Sequence, residues 1–192
     1  MPTGSEHPAE ITEALRFFEE FQAESDRALV VLGAAKLDSL LYQLLAKALL
    51  PSPTRQDDLL EAEHALGTFS SRIDAVYRLA LIDRSFARAL HLIRRVRNTY
   101  AHQLASSKLD QGPETDRIRE LATLCEHNGH LALLKASLFP RQSGCRADFC
   151  ASLAVVAARL MDAISEAKPA NESDALNLIP PSWQQKRVSR LA

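Results

Sequence analysis

The chain has 192 residues, 46% of them hydrophobic and 24% charged, with a formal net charge of -1. That length and mix suit one soluble globular domain with a sizeable core. A balance so near neutrality excludes a global pull on nucleic acid, so any such contact must come from a local patch.

No segment approaches the ~18 consecutive apolar residues of a membrane span. The opening MPTGSEHPAE lacks the basic and apolar regions of a secretory signal. Three cysteines, an odd count, speak against a disulfide framework and for a reducing cytoplasm.

In chain order, a first helix is expected over Glu10–Ala23, with Ile11, Leu15, Phe18 and Phe21 inward and Glu10, Glu13, Glu19 and Glu20 outward. Ser25 is placed to cap a longer helix that ends near Leu50, before Pro51-Ser52-Pro53. Its apolar stripe runs Val30, Gly33, Leu37, Leu40, Leu44 and Ala48, with Asp26 on the same line. A glycine inside a helix costs roughly 1 kcal/mol relative to alanine, so Gly33 predicts a close helix crossing. Asp57-Asp58 opens a short helix to Leu66, and Gly67 ends it. The capping-box spacing Ser71-Arg72-Ile73-Asp74 then begins a helix to Leu81. This pair has the outline of a helix-turn-helix. With only Arg72 and Arg78 facing Asp57, Asp58, Glu61 and Glu63, it reads as an ordinary hairpin.

Asp83–Ala105 forms the helix around which the rest is expected to pack. Phe86, Leu90, Ile93, Val96, Tyr100 and Leu104 recur at three- and four-residue steps. Five arginines against Asp83 give it a formal charge of +4. Arg97 falls in the middle of the apolar stripe, where a guanidinium must find an acceptor. The opposite charge on an apolar face is Asp26, so Asp26–Arg97 is the expected buried ion pair, with Glu24 in reserve. Arg88, His91, Arg95, Asn98 and His102 share the polar face, a candidate protein interface or nucleic-acid face.

Further on, Gln111-Gly112-Pro113 turns the chain into a helix ending near Glu126, and Asn128-Gly129 breaks it. Leu131, Leu134 and Leu138 mark another short helix, closed by Pro140. A last long helix spans Arg146–Lys168, with Phe149, Leu153, Val156, Leu160 and Ile164 inward. Residues 169–192 are a polar, proline-containing tail with Trp183 as its only large anchor. Nothing alternates with period two and no repeat appears, so the class is all-α: one compact domain over 10–168, of about seven to eight helices.

Chemical motifs are few. Cys125, His127, His130, Cys145 and Cys150 lack the paired spacing of common zinc sites and read as buried thiols, so no metal and no cofactor are expected. There is no phosphate-binding glycine loop, zincin motif or nucleophile elbow. Arg97-Asn98-Thr99-Tyr100-Ala101-His102, an R-N-x3-H run, resembles the signature of HEPN-type nuclease domains. That resemblance implies a metal-independent ribonuclease or toxin, with His102 activating a ribose hydroxyl and Arg97 stabilising the phosphorane. On an ideal helix these two side chains diverge by about 140°.

Four blocks taken together are similar to the mannitol operon repressor family of bacterial transcription regulators. They are Glu24-Ser25-Asp26-Arg27, Leu37-Asp38-Ser39-Leu40-Leu41, Leu66-Gly67-Thr68-Phe69-Ser70-Ser71-Arg72-Ile73, and Leu92-Ile93-Arg94-Arg95-Val96-Arg97-Asn98 continuing to Ala101-His102. The likeness covers roughly residues 15–105, with Ala80 where a glycine is expected. It implies an all-helical cytoplasmic repressor of a sugar-alcohol uptake operon, with no DNA-reading element of its own. The expectation is therefore a homodimeric regulator acting through a protein co-regulator rather than an enzyme. The HEPN-like ribonuclease is the alternative, and direct DNA binding by the basic face and tail is a third reading.

Overall fold

The computed structural model describes residues 24–53, 58–102, 108–127 and 129–174. Among the described residues there are six α-helices and no strand. They are α1 Asp26–Ala48, α2 Phe69–Arg78, α3 Arg84–His102, α4 Glu114–Cys125, α5 His130–Leu138 and α6 Gly144–Glu166, followed by a 3-10 turn at Glu172–Asp174. The all-α class holds. The helix expected over Glu10–Ala23 and most of the tail lie outside the described residues.

One expected helix is absent for a physical reason. Residues 58–66 form successive turns, and the Leu60 carbonyl, which a helix would satisfy from residue 64, goes to an arginine together with the Leu66 carbonyl. Arg72 donates from Nε to Leu66 O at 2.9 Å and from NH2 to Leu60 O at 2.7 Å.

Helix starts follow capping chemistry. Ser25 Oγ accepts from the Ala28 N–H at 3.2 Å and opens α1. Asp83 Oδ1 accepts from the Phe86 N–H at 2.7 Å and opens α3. For α2 the cap is Thr68 rather than Ser71: each backbone N–H of the pair meets the other's hydroxyl at 3.1 Å. That helix ends at Arg78, short of Leu81, in a Schellman turn. The Ala80 N–H donates to Tyr77 O and the Leu81 N–H to Val76 O. Ala80 takes the left-handed position of that turn at φ 56, where glycine is the usual residue.

The first and last described long helices run parallel. The start of α1 meets the start of α6 at Asp26 and Arg146, and their ends meet where Lys47 Nζ donates to Ile164 O at 2.6 Å. Between these points Gly33 permits the close crossing that its place in the stripe predicts. A Cβ there would sit 2.6 Å from Leu153 Cδ1, and Leu153 is fully buried.

The centre of the domain is not α3. Twelve of the 23 residues of α6 and ten of the 23 in α1 are buried, against seven of 19 in α3. The paired helices α1 and α6 thus supply the largest share of the core, and α3 packs on both of them and on α2 and α4, with one face in solvent. By length and composition α1 could cross a membrane, but its apolar side is taken up by α2, α3 and α6.

Candidate functional site

The expected Asp26–Arg97 pair does not form. Asp26 Oδ1 holds the Arg146 guanidinium, and Oδ2 accepts from the Leu109 N–H at 2.9 Å. Arg146 also donates to Glu24 O at 2.7 Å and to Gln142 Oε1 at 2.7 Å, so the reserve residue Glu24 contributes a carbonyl, and to a different arginine. With both Asp26 oxygens engaged, nothing draws Arg97 inward. Its side chain is exposed and donates to Asn98 Oδ1 at 3.1 Å.

Beside this clasp, Asp110 Oδ1 accepts from the Cys145 N–H at 2.6 Å and so caps α6 from a distant loop. Gly144, at φ 59, leaves that carboxylate room that a Cβ would fill. Tyr100 is buried nearby. Burial first, then the charges of Asp26, Glu114 and Asp110, push its phenol up to about 12, so it stays protonated. The cluster locks three segments together and presents no reactive group.

Among the described residues the buried arginine is Arg72. It bonds Asp38 Oδ1 at 2.8 Å and lies 5.2 Å from the Tyr42 ring centroid. Sequence reasoning missed this pair. The available signal was spacing: Arg72 precedes Ile73 and stands four residues before Val76, both fully buried. Its use here leaves α2 with Arg78 alone for a phosphate backbone, and the segment before α2 is no helix, so no helix-turn-helix is present among the described residues.

The solvent face of α3 is the candidate site. Arg84, Arg88, His91, Arg95, Asn98 and His102 fall within about 40° of one line on the helix. Acids from both neighbours flank the stripe. Arg88 makes a bidentate pair with Glu120 of α4 at 2.7 and 2.9 Å. That hydrogen-bonded pairing, helped by Arg95, holds the Glu120 carboxyl below its usual range. From α2, Asp74 Oδ1 lies 3.3 Å from His91 Nε2. Burial lowers the His91 pKa, Arg94 and Arg95 lower it further, and Asp74 opposes them. The neutral ring is thus favoured, with Nε2 toward Asp74 and Nδ1 buried without a hydrogen-bond partner among the described residues.

Arg84, Arg95 and Arg97 are exposed, and no carboxylate pairs with them among the described residues. Arg84 and Arg95 lie on that line and Arg97 about 140° away from it, so among the described residues the ridge carries two guanidinium groups without a carboxylate, suited to a surface that presents carboxylates or other anions. Nothing joins Arg97 to His102 by a hydrogen bond, and both are exposed.

The thiols lie elsewhere. Burial pushes Cys125 and Cys150 up to about 11 and raises Cys145, which disfavours the thiolate that metals require. Among the described residues no three His, Cys, Asp or Glu side chains come together as ligands.

No family model and no curated protein matches the chain. A chain of the X-ray structure of the MtlR–HPr complex from Escherichia coli shares its fold. The TM-score is 0.58 at 18% identity, over 79% of this chain and 98% of that chain. The four sequence blocks that resemble the repressor family touch in two pairs within this fold. Arg27 NH2 donates to Ala101 O at 3.3 Å, joining the first block to the fourth. Asp38 and Arg72 join the second to the third.

Proposed function

We propose that this chain regulates transcription of a sugar-alcohol, mannitol-type uptake operon by binding a partner protein, and that it acts in the cytoplasm as a homodimer. The observation that carries this reading is the shared fold with MtlR, a mannitol operon regulator, in complex with the protein HPr. The ridge on α3 supports it, with Arg84 and Arg95 available to acidic groups of an HPr-like partner. No element among the described residues is built to read base edges, which favours protein contact over direct operator binding.

Calorimetric titration of HPr from the same cell into the full chain tests the reading. Binding that weakens at least tenfold on Arg84→Glu together with Arg95→Glu is the expected result. No binding by the wild-type chain overturns it. Tight promoter binding by the chain alone, falling steeply with salt, transfers the function to direct DNA recognition. Light scattering on the purified chain reads the dimer.

One observation favours a second reading. Arg97, Asn98 and His102 are not consumed by the core, as a HEPN-like ribonuclease would require. RNA cleavage without added metal that disappears in His102→Ala supports it, and its absence removes it.

A further inference from the structure

An apolar groove lies at the far end of α1 from the Asp26 clasp. Tyr42, Leu49, Leu50 and Pro51 form one wall, and Leu59 and Leu60 of the 58–66 turns form the other, around a volume of about 730 Å³. Leu50 and Leu59 are each 43% exposed, so two large apolar side chains face open space across it. Isolated exposed leucines are ordinary, whereas two on facing walls of one groove mark a place for a ligand or partner segment.

We propose that this groove is the docking site for residues 175–192 of the same chain. The described chain leads to it. The Ala170 N–H donates to Ala48 O at 2.8 Å, pinning the stretch after α6 to the end of α1. Two residues on, Glu172 is itself part of the groove's lining. The described chain therefore ends, at Asp174, two residues past the groove's lining.

The sequence that follows, Ala-Leu-Asn-Leu-Ile-Pro-Pro-Ser-Trp, carries Leu176, Leu178, Ile179 and Trp183 with no charge among them. Nine residues beyond Asp174 span up to about 30 Å when extended, enough to carry Trp183 across the groove. Pro180-Pro181 restricts the free chain and so lowers the entropy lost on docking. Charge agrees with this direction. Lys186, Arg187 and Arg190 follow the apolar run, and Asp58, Glu61 and Glu63 belong to the turn segment that forms the second wall. An apolar stretch followed by three cations thus complements an apolar groove whose second wall belongs to a segment with three acids.

Trp183 is the only tryptophan, so its fluorescence reports on the segment without any label. In the full chain the emission should be blue-shifted from that in urea, and acrylamide should quench it several-fold less. Leu50→Asp with Leu59→Asp should return emission and quenching to the urea-like values while the far-UV dichroism stays native. A second measurement does not depend on that variant folding. Hydrogen exchange in Trp183→Ala should accelerate at 49–53 and 58–66 and stay unchanged in α3. The proposal fails if wild-type emission already equals that in urea, or if a buried signal ignores both aspartates. It fails too if exchange at 58–66 is unaltered. A blue shift that grows with protein concentration gives the groove to a second copy and also overturns it.

Discussion

Two sets of arginines meet opposite fates in this bundle. Arg72 and Arg146 lie close to the core, each holding one aspartate of α1 and at least one main-chain carbonyl. Arg84, Arg95 and Arg97 of α3 sit in solvent with no carboxylate of their own among the described residues. The side chain is the same, and Arg97 even occupies an apolar stripe. What separates the sets is whether other segments bring acceptors to the guanidinium, since five donors cannot be buried on one ion pair. Inward arginines hold the fold, and outward ones stay in solvent.

The sharpest way to break that contrast is Arg72→Ala. It strands Asp38 and two carbonyls, and should cost on the order of 3–5 kcal/mol in denaturant unfolding. Asp38→Ala added to it should cost less than the sum. Arg146→Ala comes next, at about 3 kcal/mol, because Asp26 keeps the Leu109 N–H. A loss under ~0.5 kcal/mol at either site, the range of ordinary surface changes, would show that these arginines are not structural.

Between the two sets lies the turn that joins α2 to α3. Ala80→Gly relieves a left-handed alanine and should raise stability by about 0.5–1 kcal/mol, after the entropy that glycine gives the unfolded chain. Arg97→Ala and His102→Ala should each stay within about 0.5 kcal/mol of wild type by thermal melting.

The smallest effect is a pH dependence. The folded state lowers the His91 pKa below its ordinary 6.5, so it favours the neutral ring. That contribution is present above pH 6.5 and is lost as pH falls through the lowered value. His91→Gln should flatten the decline in melting temperature below pH 6.5, and an unchanged slope would show that this ring does not couple to folding.

Local signals in the sequence were read well where one segment decides. The Ser25 and Asp83 caps, the breaks at Gly112-Pro113 and Gly129, and the crossing at Gly33 all follow from residues within a turn of each other. Failures came where distant segments compete for the same group. Asp26 has an apolar context that demands a cation, but Arg146, 120 positions away, supplies it instead of Arg97. The 58–66 stretch has helical composition, yet Arg72 takes its carbonyls. Of the candidate site, the polar line from Arg88 to His102 was legible by periodicity. Its flanking acids, Asp74 and Glu120, were not, because they come from two other helices.

The parallel pairing of α1 with α6 sets the pace of folding. The Asp26–Arg146 contact closes 120 residues of chain, a separation that slows the search for the native state. At roughly 5–20 residues per second, a ribosome needs about 6–24 s to add that stretch. Throughout that interval α1, with hydropathy of a membrane-spanning helix, has no α6 to cover its leucines. The nascent chain thus leaves that apolar face without its main cover until its last long helix emerges.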